Sequence, residues 1–75
     1  MVAKLEQYRI FKEVADSGNL TAAAQKLYIS QSAVSQCIKS LEVSLEAQLF
    51  ARHPRGVSLT PEGQQLYEYV SKALV

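Results

Sequence analysis

The sequence predicts a mainly α fold: three short helices, a small β-hairpin and a further helix. Three observations predict it. Val34, Ile38, Leu41 and Leu45 recur at i, i+4, i+7 and i+11, one apolar helical stripe. Ser32, Ser35, Gln36 and Lys39 recur at i, i+3, i+4 and i+7, a polar stripe nearly opposite the first. Between residues 49 and 60 the period shortens to that of strands around a Pro/Gly turn cluster.

Each element has its own signals. Helix 1 is expected from about Leu5 to Asp16, with Leu5, Tyr8, Phe11, Val14 and Ala15 turned inward. Ser17-Gly18-Asn19 ends it, and Gly18 can take the left-handed conformation after the last turn. Helix 2 starts at Leu20 or Ala22 and runs to Leu27, capped by either Asn19 or Thr21. Its Ala23, Ala24 and Leu27 let it sit close to neighbouring helices. Tyr28-Ile29 is the turn. Ser30 caps helix 3, which extends to about Leu45. The buried stripe of helix 3 is expected against Phe11, Ala24 and Leu27.

Leu49-Phe50 is apolar, Arg52-His53-Pro54-Arg55-Gly56 is a turn cluster, and Val57-Ser58-Leu59 alternates as a short strand. This spells a hairpin over residues 51–59 with an exposed basic tip. Thr60-Pro61-Glu62 opens the last helix, with a threonine cap and proline at the first helical position. Leu66, Tyr67, Tyr69, Val70, Ala73 and Leu74 give that helix an apolar band wider than one packing face needs. Part of the band must be core; its width favours a partner helix as well.

Composition bounds the function. The chain has 75 residues, enough for one domain with a small core. A hydrophobic fraction of 48% is too high for a disordered segment. No apolar run approaches the ~20 residues of a membrane span, so no membrane partner is expected. Met1-Val2-Ala3-Lys4-Leu5-Glu6 lacks the apolar core of a signal peptide. The single Cys37 cannot form an internal disulfide, which fits a reducing cytosol. No Cys/His cluster, nucleophile–base pair or glycine-rich phosphate loop is present, so no metal, cofactor or catalytic activity is expected. Net charge is only +1, but Arg52 and Arg55 share a stretch without acids. A local basic loop beside a polar helix face suits a specific binder of nucleic acid.

The polar stripe of helix 3 is the candidate reading face. On its own such a face is most simply a solvated surface. Helix 2, the tight turn and the basic hairpin favour DNA contact, as in a helix-turn-helix. Gln31 and Gln36 can hydrogen-bond base edges, and Ser32 and Ser35 are short enough to let backbones approach. Lys39 suits a phosphate. Ser30 and Thr21 are caps first, and their helix N-termini can face phosphates. Arg52 and Arg55 suit phosphate or minor-groove contact. His53 reads as a solvent-facing loop residue. A rival reading is a protein-interaction module, which would be expected to carry an apolar or acidic patch on helix 3.

Four blocks now stand in order: Ala23-Ala24-x-x-Leu27; Ser30-Gln31-Ser32-Ala33-Val34-Ser35-x-x-Ile38-Lys39-x-Leu41-Glu42; Leu49-Phe50-x-Arg52; and Leu59-Thr60-x-x-Gly63. At this spacing they resemble the N-terminal domain of LysR-type transcriptional regulators. The resemblance implies a winged helix-turn-helix in residues 1–60, with helix 3 (30–45) in the major groove. It implies that residues 61–75 begin a linker helix pairing two subunits. The target would be an interrupted inverted repeat in double-stranded DNA. A small-molecule inducer would bind only a C-terminal domain absent from this chain, which reads as an N-terminal fragment because Val75 falls within a helix without a cap. Two positions depart from the family pattern. Glu46 stands where glycine usually ends the recognition helix, so that helix is expected to end differently or run on slightly. Cys37 stands where glutamine is common and reads as a half-buried filler.

Overall fold

The structure is a computed structural model that describes residues 5–74; the N-terminal run 1–4 and the expected helical position of Val75 lie outside them. Four helices and one hairpin follow in the order α1 (Leu5–Ser17), α2 (Leu20–Leu27), α3 (Gln31–Leu45), β1 (Phe50–His53), β2 (Gly56–Leu59) and α4 (Pro61–Ala73).

The helix boundaries are set by caps. Gly18 takes φ 72° after α1 and donates its N–H to the Val14 carbonyl at 2.9 Å. Asn19, rather than Thr21, caps α2: its side chain accepts from the Ala22 N–H at 2.9 Å. Ser30 Oγ accepts from the Ala33 N–H at 3.0 Å and caps α3. Thr60 Oγ1 accepts from the Gly63 N–H at 3.0 Å and caps α4, with Pro61 in its first turn. Each cap satisfies an amide that the helix itself leaves unpaired.

Two helices end in the same way without glycine. Tyr28 (φ 58°) follows α2, and Glu46 (φ 54°) follows α3. In each the left-handed residue donates to the carbonyl three back, and the next residue to the carbonyl five back: Tyr28 to Gln25 and Ile29 to Ala24, Glu46 to Val43 and Ala47 to Glu42. This is the Schellman pattern. Glu46 therefore does not extend the helix. α3 stops at Leu45, and the left-handed backbone is imposed on a residue with a Cβ.

The hairpin pairs antiparallel, with Phe50 opposite Leu59, Arg52 opposite Val57 and His53 opposite Gly56. Its tip is only Pro54-Arg55. Arg52 and His53, expected in the turn, belong to β1, because pairing reaches Gly56. At Gly56 (φ 139°) an added Cβ would lie 2.2 Å from the Gly18 carbonyl oxygen, which accepts from the Val57 N–H at 3.0 Å. Glycine there lets β2 rest directly on the α1–α2 corner. At Gly63 an added Cβ would lie 2.1 Å from the Leu49 carbonyl oxygen, so α4 approaches the hairpin backbone at a point only glycine permits.

The core lies between α1, α3 and the hairpin. Phe11 and Val14 of α1, and Val34 and Leu41 of α3, are fully buried. Ala23 and Ala24 let α2 close on them, and Leu49, Phe50 and Val57 bring the hairpin in. The rings of Phe11 and Phe50 lie 5.3 Å apart at 47°, an offset tilted contact that ties β1 to α1. Four sequence expectations are corrected. Leu5 is 56% exposed, because it lines the open apolar cleft toward the end of α4 and not the core. Leu45 is 40% exposed, because α3 outruns the core in its last turn. Leu27 is only half-buried. Val70, placed with the dimerisation band, is 2% exposed and belongs to the core of the protomer itself.

Candidate nucleic-acid interface

α3 presents the polar stripe outward because Val34, Ile38 and Leu41 hold its other side in the core. Gln31, Ser32, Gln36 and Lys39 are exposed and Ser35 is half-buried. Ser30 sits at the head of the same helix. Its oxygen accepts the cap bond, which leaves its O–H free to donate.

The hairpin stands beside this face. Arg52 Nη2 lies 3.5 Å from Ser35 Oγ, linking β1 to the polar stripe. Thr21 Oγ1 donates to Gln31 Oε1 at 3.2 Å, joining the N-termini of α2 and α3. Gln31 keeps its amide N–H donors and a second lone pair on its oxygen for a ligand. A cleft of about 310 Å³ opens between these parts, with Thr21 and Gln31 on one wall and Arg52, His53 and Arg55 on the other. No carboxylate lines it.

The described ion pairs lie within α1 and between α1 and α2. Lys12 pairs with Asp16 at 2.8 Å and Lys26 with Glu13 at 3.8 Å. Among the described residues, Lys39, Arg52 and Arg55 have no carboxylate within ion-pair distance. Arg9 of α1 and Lys72 of α4 are likewise outside any ion pair, so the α3–hairpin side holds three of the five unpaired cations among the described residues. The structure brings Thr21, Gln31, Arg52 and Arg55 to one cleft and connects Ser35 to it; Ser32, Gln36 and Lys39 continue along α3.

Sequence reasoning misses two residues here. Glu42 Oε2 accepts from the Leu49 N–H at 2.7 Å and the Phe50 N–H at 3.3 Å. It fastens the start of β1 to α3, and no local pattern announces a partner seven residues on in a loop. His53 faces the cleft; its place between two arginines is the available signal. Cys37 is half-buried as expected, and burial, then the Glu6 carboxylate, pushes its thiol pKa up.

The apolar band of α4 divides. Val70 is core. Leu66, Tyr67 and Leu74 pack half-buried against it. Tyr67 donates its O–H to Asp16, and the Lys12 ammonium sits 5.6 Å from its ring centre, so this side chain is spent on α1. Tyr69 is 73% exposed. With Leu5, Tyr8, Ala73 and Leu74 it borders a second, apolar cleft of about 330 Å³ between the start of α1 and the end of α4.

A polar helix held outward by a helix-turn-helix, flanked by a cationic hairpin, defines a winged helix-turn-helix DNA-binding domain. Residues 5–64 match the bacterial regulatory helix-turn-helix protein, lysR family. The HTH-type transcriptional regulator CzcR of Bacillus subtilis is 48% identical over 71 residues, covering 95% of this chain and 25% of that protein. The BenM DNA-binding domain in its catB site 1 DNA complex superposes with a TM-score of 0.91 at 41% identity, covering 95% of this chain and 80% of that one. OxyR of Corynebacterium glutamicum, oxidized form, gives 0.92 at 36% identity, covering 99% of this chain and 23% of that one. The chain belongs to the LysR family of bacterial transcriptional regulators, as the sequence motifs implied. It spans about a quarter of the length of the curated relatives it matches.

Proposed function

We propose that the chain binds duplex DNA with α3 in the major groove and the hairpin, residues 51–59, on the backbone or minor groove of the same site. The observation that carries this is the acid-free cleft joining Thr21, Gln31, Arg52 and Arg55 beside the exposed stripe of α3. The DNA complexes of the BenM and CbnR DNA-binding domains, 41% and 34% identical, support it. Gln31 and Gln36 read base edges, Ser32 and Ser35 allow close approach, and Lys39, Arg52, Arg55, Ser30 and Thr21 hold phosphates. Residues 1–60 form the DNA-binding unit and 61–75 begin a linker helix through which two copies pair on an interrupted inverted repeat. The protein acts by binding and not by catalysis, in the cytoplasm. Recognition of a small-molecule inducer is assigned to the part of such regulators beyond the span matched here.

The test separates reading from holding. Gln36→Ala should weaken binding to the cognate site by about 1–3 kcal/mol and relax preference at one base position. Lys39→Ala should weaken binding to cognate and random duplexes alike. Titration of both variants on both duplexes checks this, and parent-like affinities throughout would remove α3 as the reader.

A further inference from the structure

We propose that His53 is a pH-dependent phosphate contact of the hairpin, so that protonation of its imidazole tightens the hold on duplex DNA. This rests on the docking reading above and adds to it one contact and one control. His53 ends β1 and is exposed on the wall of the cleft that holds Arg52 and Arg55. Its cross-strand partner is Gly56, which offers no side chain to cover it. Among the described residues no hydrogen bond or ion pair engages the imidazole.

The groups around it explain the sign. β1 contributes Arg52 and the tip contributes Arg55. β2 contributes Gly56 and Val57, and the N-termini of α2 and α3 contribute Asn19, Leu20, Thr21 and Gln31, none of them ionisable. The walls of the cleft therefore offer no anion to an imidazolium. A DNA phosphate seated between the arginines supplies one. Binding that brings an anion to a histidine takes up a proton, so affinity rises as pH falls. The uncharged ring still fits at higher pH, with one cation fewer in the contact.

The chain is suited to an unambiguous test, because His53 is its only histidine. The Cys37 thiol, pushed up by burial, stays protonated at both pH values of the test. Affinity for a short random-sequence duplex would be measured at about pH 6 and about pH 8 over a salt series, with the whole chain. The parent should bind threefold to tenfold more tightly at the lower pH, with a log–log salt slope steeper by up to about 0.9. His53→Gln should bind at both pH values as the parent does at the higher one. His53→Lys should bind as the parent does at the lower one, at both. An equal pH effect in parent and His53→Gln, or none in the parent, would overturn the contact while leaving the docking reading intact. Failure of the parent to bind duplex DNA at either pH would overturn both.

Discussion

At the scale of single residues, the chain accepts strain at two helix ends that lack glycine. Tyr28 and Glu46 both hold the left-handed backbone that glycine adopts without cost. At Tyr28 the strain sits in the tight turn between α2 and α3, with the residue 93% exposed. At Glu46 it sits where α3 hands over to the hairpin. The left-handed conformation costs a residue with a Cβ roughly 1–2 kcal/mol. Glu46→Gly should therefore stabilise the domain by about 1 kcal/mol, reduced somewhat by the greater freedom glycine has when unfolded. Glu46→Ala keeps the Cβ and should show no comparable gain. Chemical denaturation of the three proteins separates the outcomes; an equal gain from alanine would place the effect in the carboxylate rather than the backbone.

At the scale of elements, the position of the hairpin depends on one side chain from another element. A single oxygen of Glu42 receives the amides of Leu49 and Phe50, and Arg52 follows two residues later. Thr60 adds a second fastening, donating its backbone N–H to the Leu49 carbonyl at 3.0 Å. Glu42 is thus a positioning residue for the hairpin arginines, although it lies on the reading helix and carries the wrong charge for DNA. A double-mutant cycle tests this. Arg52→Ala with Arg55→Ala should flatten the salt slope of DNA binding by about 0.9 for each phosphate the hairpin no longer holds. Glu42→Ala should weaken binding in the parent and do little more in the arginine-less background, since the arginines it positions are gone. Fully additive effects, with helix content preserved, would show that Glu42 acts elsewhere. This coupling is not legible in the sequence. Ser30 and Thr60 are, because a cap and the helix it starts are adjacent in the chain. The polar stripe is legible because helical period alone separates it from Val34, Ile38 and Leu41. Glu42 reaches across a break in secondary structure, where no period applies. The strand placement of Arg52 and His53 escapes the sequence for a related reason: a Pro/Gly cluster marks a turn without saying how far pairing runs into it.

At the scale of the whole molecule, two clefts lie in different parts of the surface and have opposite chemistry. One is cationic and joins α2, α3 and the hairpin; the other is apolar and joins α1 to α4. The apolar band on α4 supplies both core and surface, and only the folded protomer distinguishes them. Val70 is spent inside and Tyr67 is tied to Asp16, whereas Tyr69, Ala73 and Leu5 remain exposed. Lys12 first, and then Tyr67, hold the Asp16 carboxyl below its ordinary pKa. That link therefore favours the fold above the carboxylate range and fades as pH falls through the lowered value. With α4 pinned in this way, its exposed side and the start of α1 are the surface available to a second copy. A two-fold pairing there would fix the separation of two α3 helices and require two half-sites on the DNA. Sedimentation across a concentration series is the measurement. The parent should associate as concentration rises. Tyr69→Glu should remain monomeric with unchanged helix content, because the residue is already 73% exposed in the protomer. Val70→Glu should instead lose the cooperative fold, since it would put a charge where only 2% of the residue reaches solvent. A folded, monomeric Val70→Glu would return Val70 to the interface, and a Tyr69→Glu protein that dimerises like the parent would move the pairing surface off this cleft.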